Sequence, residues 1–207
     1  MRSILLTLIS FFLFSSFCHS QIRLGLKFSP SLAFNRVENS GDNIFSSGGT
    51  GGRFSFGLVS DFQLSENYAF SSGLIYTPKR VGIEQNDDVE EFYRVQYLQF
   101  PLTLKLFTNE VAIDKKIYFQ LGGIAEVLVN DEARDATNVI ISDFRPFDFS
   151  VLLGAGIEYQ IGTSNILFGG FTYSRGLINV VSQTSFDATD DIEVRNDLFS
   201  LDIGIKF

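Results

Sequence analysis

Charged residues recur at alternate positions inside otherwise apolar stretches: Arg23, Lys27, Arg53, Lys79, Lys105 and Lys206, with Asp61, Glu126, Asp148, Glu158 and Asp202 of the opposite sign. Charges of both signs on one enclosed face must be paired or hydrated, so this set predicts an ion-pair network. Its two uses are a structural plug and a narrow polar pathway for small solutes. A second set is acidic and clustered: Glu84, Asp87, Asp88, Glu90 and Glu91, then Asp131, Glu132 and Asp135, then Asp187, Asp190, Asp191 and Glu193. Such clusters suit divalent cations or a basic partner, but none has the Asp-x-Asp-x-Asp-Gly spacing of a calcium-binding hand, and plain solvation is the alternative. Gly48-Gly49-Thr50-Gly51-Gly52 lacks the lysine and helix of a phosphate cradle and reads as a loop.

Other chemistry is excluded by composition. The chain opens with Arg2, an apolar stretch from Ile4 to Phe14, and Cys18-His19-Ser20 before Gln21, the order of a secretory signal peptide cleaved between Ser20 and Gln21. A retained anchor is the alternative, but the apolar run is shorter than the roughly 20 residues of a spanning helix. Cleavage removes the only Cys, His and Met, leaving residues 21–207 without thiol or imidazole. Cys/His zinc sites, cysteine nucleophiles and Ser-His-Asp catalysis are thereby excluded, and no cofactor or metal site is expected. The only acid-base option left for an enzyme is a carboxylate pair on a loop rim, Glu90 with Glu91 or Asp187 with Asp190. A net charge of -8 argues against nucleic acid as a partner.

What must position these residues is a set of strands. Alternation of period two recurs eight times. It begins with Ile22, Leu24, Leu26 and Phe28 against Arg23, Gly25, Lys27 and Ser29, and ends with Phe199, Leu201, Ile203, Ile205 and Phe207 against Ser200, Asp202, Gly204 and Lys206. The apolar faces are rich in Phe, Leu, Ile and Tyr, while the polar faces hold Gly, Ser and Thr, which suit the inside of a narrow barrel. A soluble lipocalin-type barrel would reverse the faces, placing the bulky apolar residues inside. The pattern therefore predicts an all-β, eight-stranded antiparallel up-and-down transmembrane barrel over residues 21–207. Long connections are expected at 35–52, 81–91, 130–146 and 176–196, and short ones near 65–67, 108–115 and 161–164. That asymmetry places both termini in the periplasm and the acidic loops outside an outer membrane.

Several short stretches carry a resemblance. Tyr97-Leu98-Gln99-Phe100-Pro101-Leu102-Thr103-Leu104-Lys105 resembles the fourth strand of the PorT-like outer-membrane β-barrel proteins of the Bacteroidota. Gly73 to Lys79, Phe147 to Tyr159 and Tyr173 to Asn179 resemble its third, sixth and seventh strands. The resemblance implies the same barrel and a structural or assembly role in the envelope, accessory to protein secretion of the type IX and gliding kind, with no catalytic residues. It also implies contacts with outer-membrane lipid, with envelope or secretion proteins, and with the barrel-assembly machinery during biogenesis. For the last of these the terminal aromatic Phe207 on the closing strand resembles the recognition signal. The rival functions are a narrow small-solute pore and an enzyme using rim carboxylates.

The expected outcome is that the mature protein fractionates with outer membranes and migrates faster on a gel unheated than boiled. A freely soluble mature protein would overturn the lipid-facing assignment.

Overall fold

A computed structural model of the chain describes residues 22–39, 45–85, 89–134, 141–184 and 192–207. The expected cleavage site, Ser20 and Gln21, lies outside them, as do Asp87, Asp88, Asp135, Asp187, Asp190 and Asp191.

The eight expected strands are β1 (Ile22–Asn39), β3 (Gly51–Ser65), β4 (Tyr68–Gln85), β5 (Val89–Phe107), β6 (Lys115–Arg134), β8 (Phe147–Ile161), β9 (Asn165–Gly176) and β11 (Ile192–Lys206). Three short strands, β2 (Phe45–Ser47), β7 (Ile141–Phe144) and β10 (Val181–Thr184), lie in the connections. Each long strand pairs antiparallel with its neighbours, and β1 pairs with β11 from Gly25↔Lys206 to Asn39↔Ile192, closing the sheet. Beyond the last pair, the Phe207 amide donates to the Leu24 carbonyl at 2.8 Å. Among the described residues, closure gives each of the eight long strands an antiparallel neighbour on both sides.

The outer face follows the sequence pattern. Phe54, Phe56, Leu58, Phe119, Leu153, Ile157, Phe171 and Ile203 are all at least half exposed. On β1 the belt runs from Ile22 to Phe34, roughly 30 Å for a strand tilted about 40°, the thickness of a hydrocarbon core. In water so large an apolar surface would drive association, whereas in lipid it needs no partner.

The inner face explains the glycines. Tyr118 points into the lumen, and its hydroxyl lies 2.5 Å and 2.7 Å from where a Cβ would stand on Gly156 and Gly170. An eight-stranded barrel has room for such a ring only where the facing strands carry no side chain.

Two expectations are corrected. The connections predicted as long loops are largely strand: β1 continues to Asn39, and β4 and β5 extend to Gln85 and from Val89. Cross-strand hydrogen bonding there satisfies backbone groups that a loop would leave to water. Between β1 and β4, where β3 has not yet begun, the Asn35 side chain bridges. Its Nδ2 donates to the Gly82 carbonyl at 2.8 Å and its Oδ1 accepts from the Gly82 amide at 3.1 Å. Second, the inward face is not polar throughout. Near the loop end Val81, Ile83, Tyr93, Val95 and Tyr97 are turned inward and buried, because β7 and β10 fold into the mouth and give them apolar partners.

The seam can be tested by cross-linking. With Cys18→Ser to remove the native thiol, Leu26→Cys and Ile205→Cys, direct partners across β1 and β11, should form a disulfide on mild oxidation. The linked protein should resist the full heat shift until reduced. A slip of one residue would turn every side chain of a strand to the other face, and efficient cross-linking of Leu26→Cys with Lys206→Cys instead would reveal it.

Candidate functional site

The strands bring most of the expected lumen charges together in three groups. Nearest the short turns, Lys105 and Lys206 meet Asp61 and Glu158. Lys105 Nζ lies 3.0 Å from both Asp61 oxygens, and Lys206 bridges Asp61 and Glu158 in close contact. The Ser71 hydroxyl also donates to Asp61. Two cations balance two anions there, and all four are buried.

In the middle, Lys27 Nζ pairs with Asp202 Oδ2 at 2.8 Å, while the Ser29 and Thr172 hydroxyls donate to the same carboxylate at 2.7 Å and 3.2 Å. Farther toward the loops, Lys79 Nζ sits 2.6 Å from Glu126 Oε2 and 3.6 Å from Asp148 Oδ2, over the Tyr97 ring at 4.9 Å. Ser150 Oγ donates to Glu126 Oε1 at 3.0 Å, and the Phe149 amide to Asp148 Oδ1 at 2.7 Å. One ammonium thus serves two carboxylates.

Two expected members stand apart. Arg23 lines a depression of about 390 Å³ at the short-turn end with Glu66, Asn109, Glu110 and Lys116. Arg53, near the other end of β3, donates to the Gly52 carbonyl at 2.9 Å.

Between the ion pairs lies a cavity of about 50 Å³ lined by Lys27, Ser29, Gln99, Thr103, Tyr118 and Asp202, enough for one or two waters. Above it comes the apolar plug. Val81, Ile83, Tyr93, Val95 and Tyr97 pack with Ile141, Phe144, Val180, Val181 and Val194. The Tyr93 hydroxyl accepts from the Ile141 amide at 3.0 Å and donates to Glu91 Oε2 at 2.6 Å, tying β7 into the mouth. The Val180 amide donates to the Val194 carbonyl at 2.8 Å, tying the segment before β10 to the wall.

Glu91 is therefore fully buried. It was expected on the acidic rim and as half of a carboxylate pair; turned inward and held by Tyr93, it has neither position. Among the described residues no group of carboxylates is arranged to hold a metal ion. The plug has no sequence signal because Tyr93, Val95 and Tyr97 continue the alternation of β5 on its inner face with apolar side chains, against the polar-in rule, while Val81 and Ile83 fall in the expected connection 81–91. Arg36, paired with Asp197 on the outer surface at 3.0 Å, carries no sequence signal because a charge on the lipid-facing register simply interrupts the apolar alternation.

The sequence matches, over residues 14–182, the model of the family described as outer membrane protein beta-barrel domain. None of the curated proteins matches the chain. Among solved structures, the chain is similar to the outer membrane protein OprG from Pseudomonas aeruginosa at a TM-score of 0.59 and 10% identity, covering 91% of this chain and 97% of that one. It also matches Neisserial surface protein A at 0.49 and 12%, covering 90% and 97%. The outer membrane protease OmpT from Escherichia coli matches at 0.40 and 13%, covering 91% and 96%. At 10% identity the likeness to OprG is one of fold.

Removing one partner from a buried ionic group leaves the others uncompensated, which costs about 3–5 kcal/mol. Lys206→Met should lower the unfolding free energy in lipid vesicles by that amount, measured by urea titration with the gel shift as readout. Arg23→Gln, at the wet end, should change it by about 0.5 kcal/mol or less.

Proposed function

The chain belongs to the outer membrane protein beta-barrel domain family, and from that premise we propose that it is a non-enzymatic barrel with a structural or assembly role in the envelope. The observation that carries this reading is the double closure of the lumen. Solutes would have to pass three ion-pair groups around a cavity of about 50 Å³ and then an apolar plug. A pathway so filled does not serve transport, which counts against the pore. The work of the molecule then falls to its outer face, its loops and its turns.

The PorT-like resemblance of the third, fourth, sixth and seventh strands supports a more specific form: an accessory of type IX protein secretion, with the termini periplasmic and the loop end outside. Its partners are lipid and other envelope proteins, with the barrel-assembly machinery engaged during insertion through the closing strand and Phe207. The absence of Cys and His beyond residue 19 and the burial of Glu91 support a non-enzymatic role.

Reconstituted in planar bilayers, the full mature chain should give no sustained conductance steps; regular steps would overturn the closed-lumen reading. In a strain lacking the protein, cargo of the type IX route should accumulate in the periplasm. Normal surface delivery of that cargo would remove the secretion assignment while leaving the structural one.

A further inference from the structure

The outer surface carries a feature that a lipid-facing wall has no structural need for. Arg36 on β1, Arg195 on β11 and Arg175 on β9 occupy adjacent strands on the outward register, directly above the apolar belt at its loop end. Arg36 and Arg195 are direct cross-strand partners, an arrangement of like charges that is unfavourable by itself.

Arg36 is neutralised locally. Its Nε and Nη2 hold the two oxygens of Asp197 at 3.0 and 3.1 Å, and the Tyr173 hydroxyl and Gly176 amide complete that carboxylate's shell at 2.9 and 3.2 Å. Asp197 is thereby buried beneath Arg36 and Tyr173. Arg195 contacts Glu193 at 2.6 Å and Glu38 at 3.4 Å on the side away from the belt. Its Nε is buried without a hydrogen-bond partner among the described residues. Arg175 is exposed and has no ion pair among the described residues.

These arginines line a groove of about 490 Å³ whose other walls are Val151, Leu153, Tyr173 and Leu177, with no acidic residue among the described residues that line it. Through Leu153 and Tyr173 it continues into an apolar groove of about 420 Å³ walled by Phe119, Leu121, Phe171 and Phe199. Cationic donors at the rim therefore lead into an apolar channel down the lipid-facing wall.

We propose that this groove is a binding site for a phosphate-bearing lipid of the surrounding leaflet. Arg175 and Arg195 would hold the phosphate, and an acyl chain would lie along Leu153, Phe171 and Phe199. Guanidinium groups bind phosphate with paired hydrogen bonds, and the desolvated surroundings strengthen the attraction. A soluble anion would use the arginines but gain nothing from the apolar groove, and a protein segment would have to displace lipid to enter it. An arginine that merely snorkels to water needs neither the groove nor two neighbours on adjacent strands. That the lipid belongs to the outer leaflet rests on the orientation proposed above; the site itself does not.

The full mature chain in phosphatidylcholine vesicles, doped with diphosphoryl lipid A or with its dephosphorylated form, tests the proposal by native mass spectrometry of the lipids retained on the barrel. The wild type should retain the phosphorylated form preferentially. Arg175→Gln with Arg195→Gln should weaken that retention by roughly 30-fold, with the heat shift of the folded barrel intact. Lys115→Gln, at the short-turn rim, should leave it unchanged. Equal retention of the two lipids, an unaffected double variant, an equal loss in Lys115→Gln, or displacement by millimolar inorganic phosphate would each overturn the site. Labelling of a cysteine placed at Thr50 on intact cells reports sidedness separately. Retention with no external labelling would sustain the site and overturn only the proposed orientation.

Discussion

A strand inside hydrocarbon has no water for its amides and carbonyls, and everything else in this molecule follows from the need to pair them. The need is met only when β1 finds β11, because until then two long edges are unpaired in a medium where each open group costs several kcal/mol. The seam joins segments far apart in the chain, Ile22–Asn39 with Ile192–Lys206, so closure carries the largest loop entropy. The lumen charges reinforce it. Lys27 on β1 with Asp202 on β11, and Asp61 on β3 with Lys206 on β11, are ion pairs that form only when the sheet has closed.

Eight strands fix the diameter, and the diameter dictates what the inside holds. The interior is filled by side chains, so large inward groups must face small ones. Tyr118 lies against Gly156 and Gly170, and Phe168 against Gly204. Lysines and carboxylates suit the remaining volume because their long side chains reach across it and meet near the axis. A buried ion pair is weak in net stabilisation but strict in partner. Strands displaced by two residues would keep the apolar face outside yet separate Lys79 from Glu126 and Asp148. The lumen network thus contributes to register, which the outer belt of interchangeable Phe, Leu and Ile cannot define alone.

Much of this was legible in the sequence. Period-two alternation located all eight barrel strands, and the placement of small residues opposite large ones distinguished a lipid-facing belt from a soluble core. The pairing of Lys206 with Glu158 and Asp61, and of Lys27 with Asp202, was within the expected set because all lie on inward registers. What stayed hidden has physical causes. Strand extensions beyond the membrane, such as Val81 to Gln85 and Val89 to Phe92, need no lipid-facing apolar residues and so lose the alternation signal. The plug joins Ile141, Phe144, Val180 and Val181 to β4 and β5 by tertiary contact, and no local pattern announces it. Asp197 was hidden because a carboxylate on the outward register is tolerable only with the partners that the fold brings from β1 and β9.

The two ends of the barrel wall are consequently unlike. At the short-turn end the belt finishes in Tyr68, Tyr159 and Phe207, half-exposed aromatics of the kind that settle at a membrane interface. At the loop end it finishes in Arg36, Arg175 and Arg195, beside Tyr173 and a carboxylate held out of water. An overall net charge of -8 makes that basic patch a local departure from the molecule's own field, sustained by Asp197 beneath it. Salt bridges and an apolar plug fill the lumen among the described residues. Among the described residues, that rim is where the surface has the most specific chemistry.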